Sequence, residues 1–156
     1  MSAPELPVAG ISPPRDGDEW RILGHKYWLR SWSDSCFLFE TYDPPGSGIP
    51  AHVHPDQDEL IYVIEGDVEF ELEGRRHRAG AGDIARLPRG IPHGYFNVGE
   101  TASRMIFAVT PAGKLKELFD ALHDLDDLDE VYARSSAHNV EFLRAGRVTS
   151  NVRPWP

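Results

Sequence analysis

Hydrophobic and polar residues alternate over several short segments of the chain, and glycine or proline bounds most of them. The strictest alternation lies in residues 68–73, where Val68, Phe70 and Leu72 predict a buried face and the three alternate glutamates, at 69, 71 and 73, predict a face in water. Residues 59–65 have apolar side chains on both faces of an extended strand, which predicts a strand covered on both sides. Short strands of this kind, separated by Gly/Pro turns, predict an all-β fold with a closed or nearly closed antiparallel barrel.

Other segments rich in β-forming residues predict further strands at 20–23, 26–31, 36–42, 75–79, 84–87, 94–97 and 103–109. We expect the arginines that follow Gly74 to lie opposite the glutamates of the preceding strand, as cross-strand charge pairs. Arg86 interrupts an otherwise apolar strand, and we expect it to point outward.

The apolar period changes after residue 113. Leucine and phenylalanine recur at spacings of three and four, which predicts an amphipathic helix laid against the barrel through Leu115, Leu118, Phe119 and Leu122. A second helix is predicted near residues 126–134, and a tail that includes Trp155 can pack across the barrel or a partner subunit. Prolines and glycines at the start predict an irregular arm. The predicted organisation is an arm at 1–19, a barrel at 20–111, and a C-terminal helix and tail at 112–156.

Four residues with metal-binding side chains lie between positions 46 and 97. His52 and His54 share one face of an extended strand because alternate side chains point the same way. The turn-forming residues 55–58 allow Glu59 to begin a new strand that faces the same space, and His93 must return from another strand. Three imidazoles and one carboxylate suit a single divalent transition ion, and Fe, Ni, Mn, Co, Cu and Zn are all compatible with that set.

The same region resembles the two sequence motifs of the cupin superfamily. The first motif matches as Gly46-x5-His52-x-His54-x4-Glu59-x6-Gly66, and the second as Gly82-x5-Pro88-x-Gly90-x2-His93-x3-Asn97. Over roughly residues 36–123 the chain is similar to single-domain cupins of the quercetin 2,3-dioxygenase type. The resemblance implies a cupin (jelly-roll) barrel with one or two C-terminal helices and a metal site that leaves coordination positions open to a substrate.

The resemblance also implies a reaction, with alternatives. A dioxygenase would oxidise an enol or phenol, flavonol-like or polyketide-like, with Glu59 acting as metal ligand and as the base that removes a hydroxyl proton. The same site without oxygen chemistry would suit an isomerase, decarboxylase or polyketide cyclase. A small-molecule binding module without catalysis is a third alternative. It is disfavoured because all four ligands are present and no DNA-binding segment accompanies them.

Strand parity predicts a substrate pocket beside the metal. Ile61 and Val63 share the face of Glu59, and Tyr95 shares the face of His93. Further apolar residues can complete the lining: Phe37, Phe39, Met105 and Phe107. Such a lining suits a flat aromatic or polyketide-like ligand, although the same side chains can equally be filling the barrel. The other histidines are interpreted as surface or satisfied core residues: His25, His77, His123 and His138.

Composition limits the partners. The formal charge of −9 and pI near 5.2 argue against a nucleic-acid or anionic-membrane surface. No apolar run reaches the roughly 20 residues that span a bilayer, and the first residues lack the pattern of a secretory signal. With Cys36 as the single cysteine, these features predict a cytoplasmic protein. We expect a homodimer whose partners are a small-molecule substrate and dioxygen.

Overall fold

The computed structural model describes residues 8–143 and contains, within them, eleven strands and two helices. The first strands are β1 (Glu19–Ile22), β2 (His25–Trp32), β3 (Phe37–Asp43), β4 (Gly48–Val53), β5 (Asp58–Glu65) and β6 (Val68–Leu72). They are followed by β7 (Arg75–Ala79), β8 (Ile84–Leu87), β9 (His93–Asn97) and β10 (Ser103–Thr110). The chain then forms α1 (Leu115–Leu122), α2 (Leu128–Ala137) and β11 (Glu141–Phe142).

Two antiparallel sheets form the barrel. The six-stranded sheet has the order β1-β2-β3-β10-β5-β8, and the five-stranded sheet has the order β11-β4-β9-β6-β7. Their inner faces enclose one core of aromatic and branched aliphatic side chains, with Phe37, Val63 and Met105 at 0% exposure. This arrangement confirms the predicted all-β antiparallel barrel with C-terminal helices.

Strand β5 has one covered face, so the prediction that both faces are covered was wrong. Its inward residues Glu59, Ile61 and Val63 are buried, whereas Leu60 is 50% and Tyr62 is 46% exposed. Opposite Tyr62, Ile84 of β8 is also exposed. Tyr62 and Ile84 are of the aromatic and β-branched types that strands favour, and this preference does not require burial.

Strand β6 corrects a second expectation. Val68 and Phe70 are buried as predicted, but Glu71 is only 2% exposed, so the prediction that all three glutamates face water was wrong. Because β6 lies between β9 and β7, its outward side chains have neighbours on both sides, and burial raises the pKa of the Glu71 carboxyl group. The predicted cross-strand charge pairing is present, with Arg76 Nη1 3.1 Å from Glu69 Oε1.

Segments near both ends of the described residues pack on the barrel. In the predicted N-terminal arm, the carbonyl groups of Ser12 and Pro13 accept hydrogen bonds from Arg30 of β2. At the other end, α1 buries the apolar stripe predicted from its spacing, and Asp127 caps α2 by accepting from the backbone N–H groups of Asp129 and Glu130. Trp155 of the predicted tail lies outside the described residues.

Within residues 8–143, neither helix has the length and apolar character that crossing a lipid bilayer demands.

Candidate metal centre

The four predicted ligands come from both sheets and meet at one end of the barrel. His52 lies near the end of β4 and pairs directly with His93, the first residue of β9. His54 follows β4, and Glu59 is the second residue of β5 in the other sheet. The turn at residues 54–57 carries the chain from one sheet to the other, as its proline and aspartate composition predicts.

A backbone contact fixes this turn. The N–H of Gly90 donates to the carbonyl of His54 at 2.9 Å, which links the first histidine segment to the loop before β9. Gly90 has a φ of +78°, a conformation that glycine adopts without strain. Gly90 of the second motif therefore links the two segments that contribute histidines.

The ligand atoms form a tight, buried cluster. One nitrogen or oxygen atom of each of the four residues lies within 4.8 Å of all the others, and all four side chains are buried. Glu59 Oε2 is 2.8 Å from His93 Nε2 and 3.7 Å from His54 Nε2. The sequence-predicted ligand set is thus brought together at one point.

Each imidazole is oriented by an acceptor at its Nδ1 atom. His52 Nδ1 lies 2.9 Å from the carbonyl of Pro50, and His93 Nδ1 lies 3.0 Å from the carbonyl of Ile91. A carbonyl oxygen can only accept, so Nδ1 carries the proton and Nε2 presents its lone pair to the cluster. The backbone on both sides of the site sets the tautomer needed for a metal ligand.

The third imidazole uses a side chain that sequence reasoning missed. His54 Nδ1 is 2.9 Å from Gln57 Oε1, and Gln57 Nε2 donates to the carbonyls of Pro111 and Ala112 at 2.9 and 2.8 Å. Gln57 therefore connects the ligand to the segment between β10 and α1. Its place inside the turn after His54 was the available signal, but a polar residue in a turn usually faces water.

Burial and mutual contact shift the pKa values of the four clustered side chains. Burial lowers the pKa of His52 and of His54, which keeps both rings neutral near pH 7. Burial alone would raise the pKa of Glu59, but the nearby imidazoles, His93 first, outweigh it and lower that pKa to about 2. For His93 burial acts to lower the pKa, and the adjacent Glu59 carboxylate raises it overall.

The donor set fits a divalent transition ion. Glu59 Oε2 and His93 Nε2 are buried and, although close, have no partner of proper hydrogen-bond geometry among residues 8–143. Buried polar atoms are normally paired. A cation between them and the two other imidazoles would satisfy both atoms with the nitrogen and oxygen ligands such ions prefer.

A largely apolar cavity adjoins the cluster, and His52, His54 and Glu59 form part of its wall. Of the seven side chains predicted to line a pocket, Phe39, Tyr95 and Phe107 border this cavity. The other four lie in the barrel core, each at 1% exposure or less: Phe37, Ile61, Val63 and Met105. As substrate contacts, all seven remain a prediction.

Much of the remaining wall comes from the C-terminal elements. We call this part the roof, and it comprises Leu115, Leu118, Phe119, Leu122, Val131, Ser135, Val140 and Phe142. Sequence periodicity predicted that α1 has a buried face, but it could not show that this face closes a cavity above histidines about sixty residues earlier. Tyr27 of β2 also borders the cavity and was missed.

Comparison with known proteins gives a family match. The family profile for the Cupin domain matches residues 39–109, which include all four clustered residues. The polyketide synthase protein TcmJ of Streptomyces glaucescens is 30% identical over 118 residues, which cover 75% of this chain and 78% of TcmJ. Quercetin 2,3-dioxygenase of Bacillus subtilis is 32% identical over 109 residues, covering 69% of this chain. The chain spans only about a third of the length of that dioxygenase, 32%.

Solved structures agree on the fold. KdgF from a Halomonas species superposes with a TM-score of 0.62 at 23% identity, over 67% of this chain and 94% of that one. At this identity the likeness concerns the barrel alone.

Proposed function

This chain belongs to the cupin family, and from that premise we propose that it is a metal-dependent enzyme that oxidises an enol or phenol with dioxygen. The observation that carries the proposal is the position of Glu59, which belongs to the ligand cluster and also borders the apolar cavity. A carboxylate in that place can both hold an ion and take a proton from a substrate hydroxyl.

The protonation states are consistent with this role. With a pKa lowered to about 2 by the surrounding imidazoles, Glu59 is ionised and able to accept a proton. Such a carboxylate is a weak base, so the substrate hydroxyl must itself be acidified. The clustered side chains would hold a divalent ion, which would supply that effect as a Lewis acid on the substrate oxygen. The apolar walls exclude water, and deprotonation by Glu59 leaves an electron-rich ring or enol carbon for reaction with dioxygen.

A second candidate is non-oxidative chemistry at the same site, such as polyketide cyclisation. The alignment with TcmJ, a polyketide synthase protein, favours it because that alignment covers 78% of the relative. Glu59 would again remove a proton from an acidic position, and carbon–carbon bond formation would replace oxidation.

One set of measurements separates these candidates. Protein purified without added metal is analysed for its elements and loaded in turn with Fe, Ni, Mn, Co, Cu and Zn. Oxygen uptake is then recorded with quercetin as substrate. Uptake supports the oxidative proposal, and product formed from a polyketide-like enol under strict anaerobiosis supports the second. Binding without turnover under both conditions would contradict an enzymatic role.

A matched pair of variants ties the result to the cluster. His93→Gln removes a ligand, whereas His77→Gln changes an exposed histidine of β7 that lies outside the cluster. We expect His93→Gln to lose metal and turnover together, and His77→Gln to retain both.

A further inference from the structure

The roof of the cavity contains one polar side chain. The roof residues are otherwise aliphatic or aromatic, and only Ser135 of α2 has a hydroxyl group. Ser135 is 1% exposed, and its Oγ atom has no hydrogen-bond partner among residues 8–143. The hydroxyl is therefore hidden from bulk water, and it belongs to a residue that borders the space a ligand would occupy.

This orphan hydroxyl is unusual for its surroundings. An unsatisfied buried polar group costs about 1–3 kcal/mol, whereas alanine at the same place would have no such cost and would favour the helix. The next residue, Ser136, shows an ordinary arrangement, since its hydroxyl is 2.7 Å from Glu141 Oε1 at the surface. The carbonyl of Ser135 is satisfied by the N–H groups of His138 and Val140, so only its side chain lacks a partner.

The other polar groups around the cavity are already engaged. His52, His54 and Glu59 belong to the metal centre. The hydroxyl of Tyr95 donates to Asp43 Oδ1 at 3.1 Å, and the hydroxyl of Tyr27 lies 3.4 Å from that of Tyr95. Among the described residues that border the cavity, Ser135 is the polar group outside the metal centre that is left without a partner.

We propose that Ser135 is a second polar anchor for the substrate, donating a hydrogen bond to an oxygen atom other than the one held at the metal centre. The inference rests on the proposed function, because it takes the metal centre as the first anchor. Ser135 is on the helical roof and the metal centre is on the barrel, with apolar wall between them. The substrate class is therefore a flat, mostly apolar molecule with oxygen substituents at two separate positions, as in polyhydroxylated aromatic compounds.

The test compares two flavonols on two proteins. Quercetin has hydroxyl groups on all of its ring systems, whereas 3-hydroxyflavone keeps only the adjacent hydroxyl and carbonyl groups that a metal can bind. Binding to the metal-loaded protein is measured anaerobically by fluorescence quenching. We expect the unmodified protein to prefer quercetin by about 3- to 10-fold, the effect of one net hydrogen bond. We expect Ser135→Ala to abolish that preference, and Ser135→Cys, a weak donor of similar size, to give an intermediate value.

Stability and metal content provide the controls. Since the hydroxyl has no partner in the fold, Ser135→Ala should leave the urea midpoint of the ligand-free protein unchanged or higher, with full metal content. Ser136→Ala, which removes only the surface bond to Glu141, should keep the preference for quercetin.

Three outcomes would overturn the inference: an unchanged preference in Ser135→Ala, a lower urea midpoint in that variant, or no binding of either flavonol to the unmodified protein. Failure of the proposed function looks different. It would appear as absent turnover while the Ser135-dependent preference persists.

Discussion

At the scale of single residues, Glu59 is the group on which the proposed chemistry depends. It occupies a ligand position and a cavity wall at once, so removing its charge should separate the two roles. We expect Glu59→Gln to retain the metal through the three imidazoles and the amide oxygen, and to lose about 10²- to 10⁴-fold in turnover, the usual contribution of a general base. Elemental analysis and steady-state rates measured on the same sample test this. Full activity in the variant would exclude Glu59 as the base.

Gln57 is expected to affect metal binding through His54. Its side-chain oxygen orients His54, and its amide is held by the carbonyls of Pro111 and Ala112. We expect Gln57→Leu to weaken metal affinity by about 10- to 100-fold, as is typical when the partner of a metal-binding histidine is removed. A competition titration with a chelating dye measures the change. Asp56→Asn, one residue earlier and exposed, is the control and should bind as the unmodified protein does.

At the scale of secondary-structure elements, the β5–β6 turn depends on Gly66. Its φ is +109°, and a Cβ atom there would lie 2.6 Å from Ser103 Cβ and 2.7 Å from Ser103 Cα. Gly82 has a comparable φ of +92°, but nothing lies within 4 Å of its added Cβ. Both motif glycines thus have a positive φ angle, but only at Gly66 would an added Cβ atom collide with a neighbouring residue.

The pair gives a prediction with its own control. We expect Gly82→Ala to lower the free energy of unfolding by about 1–2 kcal/mol, the cost of a left-handed conformation for a residue with a side chain. Gly66→Ala should cost clearly more, because the backbone of β10 must move as well. Urea unfolding of both variants measures this. Equal losses would mean that the contact with Ser103 is easily relaxed.

Helix α1 is held by an aromatic contact with the barrel. The Phe119 ring lies 5.4 Å from the rings of Trp20 and Tyr27 and 5.0 Å from that of Phe39. We expect Phe119→Ala to lower the free energy of unfolding by about 3–5 kcal/mol, the usual range for a buried phenylalanine. Glu117→Ala on the exposed face should leave it unchanged. Since Phe119 also borders the cavity, ligand affinity should fall in the first variant and not in the second.

At the scale of the whole molecule, residue type and spacing were enough to predict the barrel and the ligand cluster. The His52, His54, Glu59 and His93 cluster was accessible because strand parity and two motifs constrain those positions together. The burial of Glu71 and the exposure of Leu60 were not accessible, because alternation distinguishes two faces of a strand without showing what covers each. Ser135 and Gln57 were missed for a related reason. Their neighbours come from distant segments of the sequence, and periodicity within one segment does not show which distant segments will contact it.

A buried hydrogen-bond network joins the two sheets. Asp43 of β3 accepts from His25 Nδ1 at 2.6 Å and from Tyr95 of β9 at 3.1 Å, while its second oxygen accepts from Thr41 at 2.7 Å. His25 and Asp43 are both 0% exposed. The interpretation of His25 as a satisfied core residue agrees with this contact. Because the partners come from β2, β3 and β9, the network connects both sheets of the barrel.

Removing the charge of Asp43 should therefore affect the entire fold. We expect Asp43→Asn to lower the free energy of unfolding by about 1–3 kcal/mol, because one of the two oxygens that accept from His25, Tyr95 and Thr41 becomes an NH2 group and leaves a buried donor without an acceptor. Asp58→Asn breaks an exposed pair with Arg89 and should change stability little, since water and salt already screen that pair. Urea unfolding of the two variants, followed by fluorescence and by far-ultraviolet circular dichroism, provides the measurement. A single coincident transition at lower urea in Asp43→Asn is expected if the network holds the two sheets as one cooperative unit, whereas two separated transitions would show that the sheets unfold independently once it is broken.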